Sequence, residues 1–447
     1  MSPDRNAPRP SGRLSRRRLL GWSTLAATAL PAGVLIPAGA AGAAAPGSAA
    51  PRSAGDSIET SYQRAFQDTV AADPTVRRHT VAGREILYRP RQLLVAPPDL
   101  QRVQSRLRGW GYQVTEGVGF AGVRRLLFTQ EVDVPGVVTK LRDPQQWPGQ
   151  PVPLVQPHHV LVGFGNIMGN PGAPPRPAAA LPAPDPSRLG EGAGVTVGVC
   201  DTGIWRRAGT VHPQWLGGSY LPETDDEDAL YLSADLLALQ GGHGTFVAGL
   251  VRQAAPGVRF DPETALSPTG VGDEETLTAA LGRLGPEVAI VNLSLGYFTH
   301  DDQPPLPVAN ALAALPDRVA VVAAAGNAGT ARRSWPAALP GVLAVAAVAP
   351  GGSGPVPAPY SGFGSWVDAC ALGDRTSTYV DGELRLPGQP ALLFHGFAAW
   401  VGTSFATAHV AGRLAALMTA TGLDATDAQA ALLAGPPWHP DYGVLVG

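Results

Sequence analysis

Apolar residues gather in four short continuous runs in the C-terminal half of the chain: "GVTVGVCD" (194–201), "EVAIVNLS" (287–294), "RVAVVAAAG" (318–326) and "GVLAVAAVA" (341–349). Runs of this length, apolar at nearly every position, predict strands buried on both faces. Between them lie amphipathic stretches, "HGTFVAGLVRQAA" and "DEETLTAALGRLG", and the second opens on acids suited to a first helical turn. Strands alternating with helices predict an α/β domain over 191–447 with a doubly wound, mainly parallel sheet. In such sheets, sites collect at the carboxyl ends of the strands.

Nearer the N-terminus the pattern is different. "RQLLVA" (91–96), "GYQVTEGV" (111–118), "GVRRLLFTQ" (122–130) and "VPLVQPHHVLV" (152–162) read as strands. "PDLQRVQSRLRGW" and "VPGVVTKLRD" read as helices between them. This order predicts a small α+β domain of the split βαβ type over 81–165, with two helices on one face of an antiparallel sheet. Residues 46–80 read as a linker in which "SIETSYQRAFQDTVAA" forms a helix. Residues 166–190, dense in proline and glycine, read as an extended, protease-accessible linker.

Charge changes the picture mainly at the start. Six arginines against one acid, Asp4, precede an apolar and then alanine-rich stretch within residues 1–45, the layout of an export signal. "SRRRLL" within it is similar to the twin-arginine signal, and a retained membrane anchor is the other reading. The remaining chain is mildly acidic and has no basic run, which argues against a nucleic-acid partner. Two cysteines, Cys200 and Cys370, are too few for a disulfide framework, and two separate thiols are expected.

Four polar residues sit at the predicted strand and helix ends, each among glycines. Asp201 closes the first buried strand in "DTGI", and His243 lies in "GGHGTFVAG". Asn327 follows the third strand in "AAAGNAG", and Ser404 opens a helix in "GTSFATAHVAG". Each has an ordinary reading alone: a turn aspartate, a structural histidine, a turn asparagine and a helix cap. Together they are what nucleophilic catalysis by serine needs: a nucleophile, a base, an acid to orient it and an oxyanion donor.

With "VNLSLG" and "YSGFGSWVDACALG", these stretches resemble the subtilisin-like serine peptidases, the subtilase family, over the whole of the third part of the chain. The resemblance implies a serine endopeptidase using Asp201, His243 and Ser404, with Asn327 and the Ser404 N–H as oxyanion hole. It implies that substrate backbone pairs along Ser294, Leu295 and Gly296, and that Ala323, Ala324, Ala325 and Gly326 wall the primary pocket. It further implies that residues 81–165 are a propeptide that assists folding and then inhibits.

No cofactor is expected for the chemistry. Structural calcium occurs in the family, and the acidic "ETDDEDALYLSAD" suits either that ion or a solvated loop. Expected partners are polypeptide substrates and the chain's own propeptide, for a secreted monomer with no membrane contact once its signal is removed. Arg332 or Arg333 would favour acidic substrates if either faces the pocket; otherwise both are surface arginines. Departures from the family pattern are Phe246, Phe405, Ala408 and Ala371-Leu372-Gly373. None removes a proton-carrying group. The alternatives are a latent enzyme and a non-catalytic binding protein on the same fold.

Overall fold

A computed structural model describes residues 57–81, 84–163, 173–220, 227–233 and 235–447. The proposed export signal lies outside these residues. Helix α1 (Ile58–Ala72) is capped by Ser57, whose hydroxyl accepts from the Thr60 N–H. Next come β1 (Arg77–Val81), β2 (Arg84–Val95), α2 (Leu100–Gly109), β3 (Val114–Phe120), β4 (Val123–Phe128), α3 (Val134–Leu141) and β5 (Val155–Gly163). The sheet order β5-β2-β4-β3 is antiparallel throughout. Val103 and Leu107 of α2 and Val134, Val137, Val138 and Leu141 of α3 pack into one core against it, so both helices cover one face.

Two boundaries differ from the sequence reading. The segment read as linker holds β1, which pairs antiparallel with β2. It also holds α1, whose buried Tyr62, Phe66 and Val70 join the core of the C-terminal body. The second linker is not free either. Arg176-Pro177 pairs with Ala398-Ala399, and Ala178 N donates to Phe397 O. Proline at an edge position leaves that bonding intact because its missing N–H faces away from the ladder.

The C-terminal body holds β6 (Thr196–Asp201), α4 (His243–Ala254), β7 (Arg259–Thr264), β8 (Val271–Asp273), α5 (Glu274–Arg283), β9 (Val288–Leu293), β10 (Leu295–Gly296) and α6 (Leu306–Ala314). It continues with β11 (Ala320–Ala324), β12 (Val342–Ala349), β13 (Ala369–Leu372), the hairpin β14 (Asp374–Leu384) and β15 (Leu392–Val401), α7 (Thr403–Thr421) and β16 (Val444–Leu445). The main sheet, in order β7-β6-β9-β11-β12-β13-β16, is parallel at each of these pairs. The chain leaves β6 for β7 on one side and then crosses to β9 on the other, so the switch point lies between β6 and β9. Helices α4 and α7 cross at close range. A Cβ at Gly412 would come within 2.6 Å of Val251 O and Ala254 Cβ, so only glycine permits the contact.

Candidate active site

Asp201 is the last residue of β6, at the switch point where an open α/β sheet offers its crevice. Its Oδ1 lies 2.7 Å from His243 Nδ1 and accepts the Thr202 N–H at 2.8 Å. His243 is the first residue of α4, and both side chains are fully buried. The next residue has to be glycine: a Cβ on Gly244 would sit 2.0 Å from Gly203 O. That close approach brings the helix start down onto the strand end and sets the Asp201–His243 distance. His243 Nε2 is buried and has no hydrogen-bond partner among the described residues.

Ser404 lies in the first turn of α7, where helix N–H groups lack helical acceptors. Its hydroxyl donates to Ser294 O at 3.1 Å rather than to His243, and Ser294 Oγ donates back to Ser404 O at 2.9 Å. This reciprocal pair ties the start of α7 to the residue between β9 and β10. A nucleophile–base bond is often unmade before substrate binds. Asn327 Oδ1 accepts from Thr403 N (2.9 Å) and Thr403 Oγ1 (2.8 Å). Those bonds fix the amide so that, among the described residues, its Nδ2 donor end is left over. Ala323 and Ala324 face opposite sides of the sheet into two separate cores, and Ala325 joins a third. Gly326 N donates to Thr403 Oγ1.

The two phenylalanines that depart from the family pattern explain each other. Phe246 and Phe405 have ring centroids 4.5 Å apart, and both contact Trp400. Trp400 stands edge-on to His243 at 5.3 Å, and Phe405 lies 5.5 Å from it. The imidazole is therefore backed by an apolar aromatic cluster that excludes water and limits its rotation. Arg332 does not face a pocket: its guanidinium pairs with Asp302 at 2.6 Å, donates to Thr299 O and Glu85 O, and lies over Phe298. Arg333 is exposed. Cys200 and Cys370 are separate buried thiols, and burial pushes both up, Cys370 to about 12.

Sequence reasoning missed Asp228, which it left inside an acidic loop. Asp228 is buried, and its Oδ2 accepts from Thr202 Oγ1 (2.6 Å) and Gly242 N (2.8 Å). It thus joins the residue after Asp201 to the residue before His243. Burial raises its carboxyl to about 8. Glu223, Asp225 and Asp226 of the same stretch lie outside the described residues. Among the described residues no three His, Cys, Asp or Glu side chains converge on a metal-sized position.

The N-terminal domain reaches this centre through β5. That strand lies antiparallel between β8 and β10, with Leu295 opposite Gly163 and Gly296 opposite Val162. Leu295 and Gly296 thus pair with an extended segment, here one from the same chain. Behind β5, the fully buried Glu274 accepts from Gln156 Nε2 (2.9 Å), His159 N (3.2 Å) and Tyr297 OH (2.9 Å), and lies 3.1 Å from His159 Nδ1. Asp273 is held below the usual carboxylate range: burial opposes this, but His158, the Thr276 N–H and Arg89 outweigh it.

His300 stacks on His159 at 5.8 Å. Burial, then the electrostatic influence of His159, Arg142 and His79, lowers it to about 2 despite Asp301 at 3.5 Å. A histidine depressed in the fold binds its proton in the unfolded chain first. Its contribution is therefore complete above about pH 6.5 and is lost as pH falls toward 2. His300→Gln should remove that loss. Between pH 7 and pH 5 the variant should gain up to about 2 kcal/mol relative to the wild-type chain, measured as the difference in denaturant stability.

The fold and this set of polar groups define an α/β serine hydrolase. Residues 192–434, more than half the chain, match the Subtilase family (Peptidase_S8). The chain is 32% identical over 241 residues to Subtilisin Savinase of Lederbergia lenta, covering 50% of this chain and 76% of that protein. It is likewise 32% identical over 241 residues to the Thermophilic serine proteinase of Bacillus sp. (strain AK1), covering 51% of this chain and 53% of that one. It therefore belongs to the subtilase family and is a subtilisin-like serine endopeptidase. The crystal structure of fervidolysin from Fervidobacterium pennivorans, a keratinolytic enzyme related to subtilisin, superposes with a TM-score of 0.56 at 19% identity. It covers 84% of this chain and 64% of that chain, a likeness of fold alone. The chain spans about half the length of several curated relatives it matches, among them the Alkaline protease of Shouchella clausii at 54%.

Proposed function

We propose that the chain is the precursor of a secreted, monomeric endopeptidase acting through Asp201, His243 and Ser404. The Ser404 hydroxyl turns from Ser294 O to His243 Nε2 as a peptide carbonyl arrives. Oγ attacks the carbonyl carbon while His243 takes the proton, and Asp201 orients the ring and stabilises the imidazolium. The oxyanion is met by Asn327 Nδ2 and the Ser404 N–H. His243 then hands its proton to the leaving amine as the C–N bond breaks. Water, deprotonated by His243, releases the acyl group and restores Ser404. Every proton passes through His243, so no cofactor is called for.

The observation that carries this reading is the buried Asp201–His243 pair at 2.7 Å, with Phe405, the residue after Ser404, 5.5 Å from the imidazole. The N-terminal domain acts as propeptide in this account, inhibiting because β5 fills the groove that substrate would use by strand addition. Export by the twin-arginine route fits the arginine-rich start. While the domain stays docked the enzyme is latent, a second state that the pairing of β5 on both edges favours. Intact mass of the purified chain over time tests the scheme. The wild type should shorten by loss of its N-terminal domain, and Ser404→Ala should not. Shortening of both at the same rate would overturn self-processing.

A further inference from the structure

One buried polar side chain at the groove has no role in the scheme above. Gln240 is fully buried three residues before His243, and its carbonyl accepts the His243 N–H at 3.0 Å. Its amide nitrogen donates to Tyr62 OH at 2.9 Å, and Tyr62 in turn donates to Leu239 O. Its stem lies against Gly270, where a Cβ would come 2.5 Å from Gln240 Cγ. The side chain is thus held in one position in the full chain by Tyr62, and by Gly270 with or without the N-terminal segment. Among the described residues its Oε1 has no hydrogen-bond partner, and it points at β5: a Cβ built on Gly163 would lie 3.3 Å from Oε1 and 3.3 Å from Leu266 Cδ1.

Gly163 is held there by its N–H to Gly270 O at 2.8 Å and by its place opposite Leu295. A substrate strand in this antiparallel register sets its next residue opposite Ser294, whose carbonyl accepts the Ser404 hydroxyl. Under the peptidase scheme, which this inference rests on, the residue opposite Ser294 supplies the scissile carbonyl. Gly163 then marks the second residue before the scissile bond.

We propose that Gln240 sets the preference at this substrate position, admitting glycine or serine and rejecting branched residues such as valine. Glycine fits because nothing extends toward Oε1 or Leu266. Serine is accepted because its hydroxyl can donate to an acceptor that is otherwise buried and unpaired. Valine brings two methyl groups into a space already tight for one carbon, with no donor to offer.

Two experiments test it. In the full chain carrying Ser404→Ala, Gly163→Val should speed hydrogen exchange of the β5 amides about 10-fold or more, and adding Gln240→Ala should return it to within about 3-fold. This test needs no peptidase activity. No effect of Gly163→Val, or no rescue by Gln240→Ala, overturns the proposal. With the matured enzyme, three peptides differing only at the second residue before the cleaved bond should give kcat/KM in the order glycine, serine, valine. The first and last should differ about 10-fold or more, and Gln240→Ala should flatten the series. Equal cleavage of all three by the wild type overturns the assignment. Cleavage of none overturns the peptidase scheme and this inference with it.

Discussion

Ser404→Ala is expected to lower kcat for peptide hydrolysis by about 10⁶-fold, the size of loss known for the equivalent serine of subtilisin itself rather than a figure obtained from this geometry. The fold should hardly change. Among the described residues the Ser404 hydroxyl makes one hydrogen bond, to Ser294 O, and the return bond from Ser294 Oγ goes to backbone and survives the substitution. Loss of that one bond costs about 1 kcal/mol. Activity and stability should therefore separate cleanly when hydrolysis rate and denaturant midpoint are measured on the same preparation. A variant that loses activity and several kcal/mol together would mean that Ser404 is structural. A variant retaining more than about 1% of wild-type kcat would mean that another group is the nucleophile.

The second large effect is expected far from the reacting atoms. Glu274→Ala removes one carboxylate that serves both halves of the molecule: Gln156 and His159 from the N-terminal domain, Tyr297 from the catalytic body. All of these groups are buried, so their donors are left without water to replace the acceptor. Breaking a buried charged network by deleting one partner typically costs about 3–5 kcal/mol. Denaturant unfolding of the full chain should show that loss, with the β5 amides exchanging fastest because β5 carries Gln156 and His159. Glu274→Gln keeps an acceptor and should cost about 1–3 kcal/mol. If Glu274→Ala changed stability by less than about 0.5 kcal/mol, the network would not be what holds β5 in the groove.

Much of the candidate site was legible because its residues sit at element ends that local sequence marks. Asp201 follows a run of apolar residues, His243 and Ser404 open helices, and Asn327 follows a strand, each beside glycines that permit close approach. The strand–helix–strand–strand–helix–strand order of the N-terminal domain was equally local, and β2 to β5 lie where the pattern placed strands. What local pattern does not contain is partnership across the chain. Nothing near residue 62 signals that a tyrosine there bonds to Leu239. Asp228 reads as one acid in an acidic stretch until Thr202 and Gly242 are seen to point at it. Glu274 reads as a first-turn acid favoured by the helix dipole, yet its carboxylate is taken up by another domain. The hairpin of β14 and β15 was also hidden. Its Trp400 matters through contact with His243, and "GFAAWV" gives no hint of that.

The departures at Phe246 and Phe405 teach the same lesson in reverse. Read singly, each is a change beside a catalytic position with no visible compensation. In the fold they meet at 4.5 Å and share Trp400, so the two changes fill one apolar space together. Packing of this kind alters the surroundings of His243 without touching its bond to Asp201.

Covalent labelling shows whether Ser404 is an activated nucleophile. The chain is allowed to mature and then treated with a fluorophosphonate, and the adduct is located by peptide mass spectrometry. One adduct is expected, on Ser404, and it should be lost in His243→Ala because the base that activates the hydroxyl is gone. No adduct on Ser404 after the N-terminal domain has been removed would contradict that role.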